Sequence, residues 1–142
     1  MITITKDPVY LFYSGATFTI EWYFDEAGKM KAKEYYENLS DEDKNRLRYI
    51  VKHFADSPIG TRLPGKLYKL EDADNKIYAF KPGDFRFFNF MTEGRKIIII
   101  DAYRKHSQQM AKKDLNQLKT VIETKGNYLY RIKAGTYYER VT

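Results

Sequence analysis

The sequence contains no cysteine. That absence excludes disulfides, thiolate metal sites and cysteine nucleophiles together, and it fits a reducing compartment. Histidine is nearly as scarce: His53 and His106 are the only two, too few for a histidine-rich metal centre, and neither a metal nor a cofactor is expected. With 4 prolines and 8 glycines in 142 residues, there is no collagen-like or low-complexity composition. Long hydrophobic runs are missing too. The longest strictly aliphatic run is Ile97 to Ile100, and residues 1–15 lack the basic start and apolar stretch of a signal peptide, so a cytoplasmic protein away from membranes is expected. No phosphate-binding glycine loop, nucleophile elbow or zinc-protease helix occurs. Acid–base and electrostatic chemistry are the enzyme routes left.

What the sequence does have is aromatics and positive charge. Thirteen tyrosines and 9 phenylalanines against 1 tryptophan must supply much of a core, and the length predicts one α+β domain over residues 1–142. The net charge of +6 is unevenly spread: residues 1–59 carry −2, residues 60–113 carry +6 and residues 114–142 carry +2. A middle segment both basic and aromatic offers cations for phosphates and flat faces for bases, the ingredients of single-strand nucleic-acid binding. A merely solvated surface has the same composition.

Periodicity places the elements. Phe18, Ile20 and Trp22 alternate with Thr19, Glu21 and Tyr23, which predicts a half-buried strand over Thr17 to Phe24. Ala32, Tyr35, Tyr36 and Leu39 form one apolar helical face, and Leu47, Ile50, Val51 and Phe54 form another. Between them, Ser40 followed by Asp43 has the form of a capping box, so a pair of helices is expected. Residues 57–65 (SPIGTRLPG) read as a connector, with Leu67 to Leu70 a short extended stretch. Lys76–Phe80, Phe85–Met91 and Lys96–Ala102 are strand-like and separated by turn chemistry at 82–84 and 92–94, predicting an antiparallel meander. The isoleucine run is apolar on both faces, as expected of a central strand covered on each side. Leu115, Leu118 and Ile122 predict a helix over Ala111 to Lys125, with Gly126 as its stop. The last residues, 128–142, then form either a hairpin added to the body or an arm reaching another subunit, and short extensions are expected at both ends.

The candidate chemistry lies at strand ends. Arg86, between Phe85 and Phe87, is a costly place for a cation unless it meets an anion, either a ligand or, in the ordinary case, Asp84 or Asp101 in a salt bridge. Tyr103, Arg104, Lys105 and His106 put a phenol, two cations and an imidazole just after the isoleucine strand. His106 suits proton transfer near neutral pH, whereas His53 reads as a surface side chain. Lys81, Arg62, Lys66, Lys112 and Lys113 extend the positive surface.

These stretches, KIYAFKPGDFRFFNF (Lys76 to Phe90), GRKIIII (Gly94 to Ile100) and AYRKHSQQM (Ala102 to Met110), together with Glu21 to Ser40, resemble the RelE/ParE toxin superfamily, in particular its phage-derived, HigB-like branch. The resemblance covers Phe18 to Lys125. It implies two N-terminal helices and a C-terminal helix packed on a small antiparallel sheet. It also implies a toxin of a type II toxin–antitoxin system: an endoribonuclease that cuts mRNA on the ribosome, neutralised by a helix-turn-helix antitoxin. By the same resemblance, Arg86 matches the strand arginine that contacts the scissile phosphate, and Lys105 or Arg104 matches the cation after the strand. Two features depart from the family pattern. Tyr78 and Phe80 replace a pair of strand lysines, leaving Lys81 as the nearest base, and Gln109 and Met110 replace a common Thr-Pro step. The expected mechanism is attack by the ribose 2′-hydroxyl, with Arg86, Arg104 and Lys105 on the phosphate, Lys81 or Tyr103 assisting deprotonation and His106 protonating the leaving oxygen. The alternative is a non-catalytic module of the same fold that inhibits a protein target or pairs with a DNA-binding antitoxin; a homo-oligomer is compatible with either.

Overall fold

The computed structural model describes residues 7–105 and 112–141. A six-stranded sheet in the order β1-β2-β6-β5-β4-β3 forms the middle layer. Its strands are β1 (Leu11–Ser14), β2 (Thr19–Trp22), β3 (Tyr68–Asp72), β4 (Ile77–Phe80), β5 (Phe85–Thr92) and β6 (Lys96–Arg104). β3 to β6 are the antiparallel meander expected from the turns. The sheet as a whole is not antiparallel, because β2 runs parallel to β6, with Ile20 beside Ile97 and Trp22 beside Ile99. The cause is the chain path: α1 (Lys31–Glu37) and α2 (Asp41–Asp56) follow β2 and cross one face of the sheet before the meander begins. Strands β1 and β2 precede these helices, so the chain does not open on its helical pair.

Side chains on the isoleucine strand alternate between two cores. Ile97 and Ile99 join Ile20, Trp22, Phe80 and Phe87 under α1 and α2, packed with Leu47, Ile50 and Val51. Ile98 and Ile100 join Phe24, Ile77, Phe88 and Phe90 under α3 (Lys112–Lys133), with Val121 and Tyr128. β6 is therefore central and covered on both faces, as its apolar run required. Each large side chain so buried contributes about 1.5–3 kcal/mol. α2 begins where its capping residue predicts: the Ser40 hydroxyl accepts a hydrogen bond from the Asp43 amide at 3.2 Å, and Asp41, Glu42 and Asp43 sit at the positive end of the helix. At its other end the Ala55 carbonyl accepts from the amides of Thr17 and Phe18. Gly15 passes so close that a Cβ there would lie 2.5 Å from that of Ala55, so any larger residue would push the β1–β2 turn off the helix.

α3 corrects two sequence expectations. Gly126 does not end it; the helix continues to Lys133, and the residues beyond Gly126 are neither a hairpin nor an arm. They complete α3 and then a short 3-10 helix, Tyr137–Val141, which packs on the α3 side of the sheet. The helix stops at Gly135, whose φ of 75° is the left-handed turn that glycine accommodates. There the Thr136 amide bonds to the Arg131 carbonyl and the Gly135 amide to the Ile132 carbonyl, the pairing of a Schellman cap. Tyr128 explains the extension. Its ring meets Phe90 at 5.2 Å and Tyr137 at 4.7 Å, and this burial outweighs the roughly 1 kcal/mol that a mid-helix glycine costs. Among the described residues, no helix is long and apolar enough to cross a membrane.

This aromatic layer makes a pH prediction. Burial pushes the Tyr128 hydroxyl up to about 12, and Tyr137 and Tyr138 are raised as well, burial again being the first cause. The folded chain holds these protons more tightly than the unfolded chain, whose tyrosines ionise near pH 10. The stability they contribute is complete below about pH 10 and is lost as the pH rises through about 12. Urea unfolding midpoints are expected to hold level up to about pH 9.5 and then fall; a midpoint unchanged at about pH 11 would contradict the assignment.

Candidate functional site

A β-bulge builds the site. Phe88 pairs with Asp101 but Asn89 pairs with Ile99, so Ile100 is an extra residue on β6. Such an insertion shifts the strand's alternation by one. Without it, Asp101, Tyr103 and Lys105 would follow Ile97 and Ile99 toward α1 and α2. With it, Ala102 takes the place in that core, and Tyr103 turns to the α3 face, packing against the second core. Tyr103 stands opposite Arg86 in the register, and its ring stacks on Phe88 at 5.5 Å with the planes 9° apart.

The result is a small depression lined by Glu71 of β3, Arg86 and Phe88 of β5, Tyr103 and Lys105 at the end of β6, and Asp114 and Leu118 of α3. Arg86 is half-buried, and its Nη1 donates to the carbonyls of Gly83 and Phe85, both at 2.9 Å. Those bonds orient the guanidinium without neutralising it. Among the described residues Arg86 makes no salt bridge, with Asp84, Asp101 or any other carboxylate. Asp101 instead pairs with Lys31 at 3.1 Å and accepts from Gln117. Asp84 pairs with Arg104 at 3.8 Å. The Lys105 amide donates to the Asp84 carbonyl at 2.8 Å, carrying the strand pairing up to the depression. Lys81, just past β4, donates from Nζ to the Gly65 carbonyl at 3.0 Å.

The two proposed proton acceptors differ. Burial, with the nearby charges of Arg86, Lys69 and Lys105 outweighing Glu71, holds the Lys81 ammonium below its ordinary pKa, which favours a neutral amine. Tyr103 goes the other way. Burial, then the charge of Asp114 and the hydrogen bond to it, push the phenol up to about 12, so Tyr103 holds its proton and acts as a donor. Asp114 itself is buried in the first turn of α3.

The other candidates lie elsewhere. Arg104 alternates to the opposite face from Lys105, over the Phe85 ring at 5.9 Å, and the bulge makes that the face away from Arg86. Lys66 is exposed beside Gly65, and Arg62 is exposed in the connector away from the depression. Lys112 and Lys113 begin α3. His106 lies outside the described residues, as do Gln109 and Met110. His53 is exposed and stacks on Tyr49 at 6.2 Å. At the positions where strand lysines were expected by resemblance, Tyr78 stacks on Tyr68 at 5.1 Å and Phe80 is fully buried. Glu71 and Asp114 are the site residues that sequence reasoning missed. Asp114 had one legible signal, an acid at the start of a helix; Glu71 had none, because only strand order carries β3 beside β4.

Compared with protein-family models and with curated proteins, the chain matches none.

Proposed function

We propose that the chain is a toxin of the RelE/ParE superfamily, in its HigB-like branch: a cytoplasmic endoribonuclease that cleaves mRNA on the ribosome and is held in check by a helix-turn-helix antitoxin. In this reading β2, α1, α2, the β3–β6 meander and α3 are the RelE-like body, and β1 and the C-terminal 3-10 helix are additions to it. The observation that carries the reading is the convergence of Arg86 and Lys105 on one depression, with Lys81 close enough for the charges of both to act on it and with the Arg86 guanidinium oriented by two carbonyls and, among the described residues, in no salt bridge.

The chemistry follows from those groups. Lys81, as the neutral amine, takes the proton of a ribose 2′-hydroxyl, and the 2′-oxygen attacks the adjacent phosphorus. Arg86 and Lys105 meet the charge that grows on the non-bridging oxygens, the interaction that strengthens most in the transition state. The bond from phosphorus to the 5′-oxygen breaks, and that oxygen takes a proton, from Tyr103 or, as the sequence implied, from His106. The products are a 2′,3′-cyclic phosphate and a 5′-hydroxyl. Arg104 has no part in holding the phosphate.

A second reading, a non-catalytic module of the same fold, is favoured by one observation: Glu71 and Asp114 share the depression with the cations and lower its net positive charge. Primer extension on messages in a purified translating system separates the two. The toxin is expected to leave discrete stops at ribosome-occupied codons, whereas a binding module leaves the message intact.

A further inference from the structure

A second concavity lies at the other end of the strands, on the α2 face, and the RNA reading does not use it. It encloses about 400 Å³ between the end of α2, the 57–63 connector and the sheet, and Phe18, Phe54, Leu63, Tyr68 and Tyr78 form its walls. Ile59 and Met91, 64% and 51% exposed, stand at its mouth. A volume and lining of this kind suit a small apolar body.

The rim carries a different message. Lys76, Arg95 and Lys125 line the same cavity, and no aspartate or glutamate does. Lys125 is partly engaged, its Nζ donating to the Asn75 carbonyl at 2.5 Å, with Asp72 near enough to act on it. Lys76 and Arg95 make no ion pair among the described residues. They share a second property: with φ of 51° and 55°, they are the non-glycine residues in left-handed backbone among the described residues. Glycine or asparagine would occupy both turns at lower cost. A chain that places its two strained side chains at one mouth, both cationic, has charge there that the turns themselves do not require.

We propose that this cavity binds an amphipathic carboxylate of the medium-chain fatty-acid type, its apolar tail against Phe54, Tyr68 and Tyr78 and its carboxylate between Lys76 and Arg95. The apolar walls supply affinity and the rim cations select the charged end. The site is independent of RNA cleavage.

The test is a titration of the full chain with decanoate, below its micelle concentration, followed by amide NMR, beside a titration with 1-decanol. Saturable shifts are expected at Ile59, Leu63, Tyr68, Tyr78 and Met91, with decanoate binding more tightly than decanol. The double variant Lys76→Asn, Arg95→Asn keeps residues that tolerate left-handed turns. It is expected to lower decanoate affinity about tenfold and leave decanol affinity unchanged. Absence of saturable shifts, shifts centred elsewhere, equal affinity for the two compounds, or decanoate affinity unaltered in the double variant would each overturn the proposal. Cleavage activity enters none of these readouts, so the outcome is separate from that of the nuclease reading.

Discussion

Replacement of Arg86 by alanine is expected to reduce cleavage of ribosome-bound message about 100- to 1000-fold, the usual loss when one preorganised donor to a transition-state oxyanion is removed. The expectation rests on how the side chain is held. Its two bonds to the carbonyls of Gly83 and Phe85 fix the guanidinium beside Lys105 and Tyr103, so the chain does not reorganise to meet the charge as it forms. The bond to Gly83 is exposed and the bond to Phe85 only part-buried, so losing their donor should cost the fold no more than about 1 kcal/mol. Activity and stability are thereby separable: a variant with an unchanged circular dichroism spectrum and near-normal melting, yet inactive in primer extension, is the expected outcome. Lys105→Ala should be impaired as well. Arg104→Ala should be much less so, because the bulge directs that side chain to Asp84 and Phe85 on the other face. Equal losses at Arg104 and Arg86 would refute the bulge-based assignment.

The second large effect concerns stability. Tyr137→Ala is expected to cost about 3–5 kcal/mol, as for other large aromatics removed from a core, and to lower the melting temperature by about 10 °C or more. Tyr137 is 1% exposed, stacks on Phe24 at 4.2 Å and accepts a hydrogen bond from the Phe24 amide through its hydroxyl. The buried Arg131 lies over its ring at 4.6 Å and donates to the Phe24 carbonyl at 2.9 Å. These contacts fasten the C-terminal segment to Phe24, just past the end of β2, within the same chain. An arm serving another subunit would behave differently: its loss would change association, measured by sedimentation, and leave the urea midpoint of the monomer unaltered.

The parts of this structure that were legible in the sequence are those governed by local pattern. Ser40 and Asp43 marked the start of α2 because a cap is a contact across three residues. Ile97 to Ile100 marked a central strand because only a doubly covered strand can be apolar on both faces. The parts that were not legible depend on partners distant in the chain. Gly126 and Gly135 look alike locally, and what carries the helix past the first is the burial of Tyr128 against Phe90. The parallel pairing of β2 with β6 depends on the path taken by two helices. The site divides the same way. Arg86, Tyr103 and Lys105 were visible as charged or polar groups at strand ends. That Tyr103 and Lys105 share a depression with Arg86 while Arg104 does not is decided by one extra residue on β6, set by its pairing with β5 and by no feature of KIIIIDAYR itself. Glu71 and Asp114 arrive from β3 and α3, and only the folded sheet brings them to Arg86.

The chemistry proposed for this corner of the sheet is attack by a ribose 2′-hydroxyl. End-group analysis of message recovered from a translating system tests it most directly. Fragments ending in a 2′,3′-cyclic phosphate, or the 3′-phosphate it hydrolyses to, are expected, each matched by a downstream fragment with a 5′-hydroxyl, and neither product with Arg86→Ala. Fragments with 3′-hydroxyl and 5′-phosphate ends, or intact message at saturating protein, would contradict it.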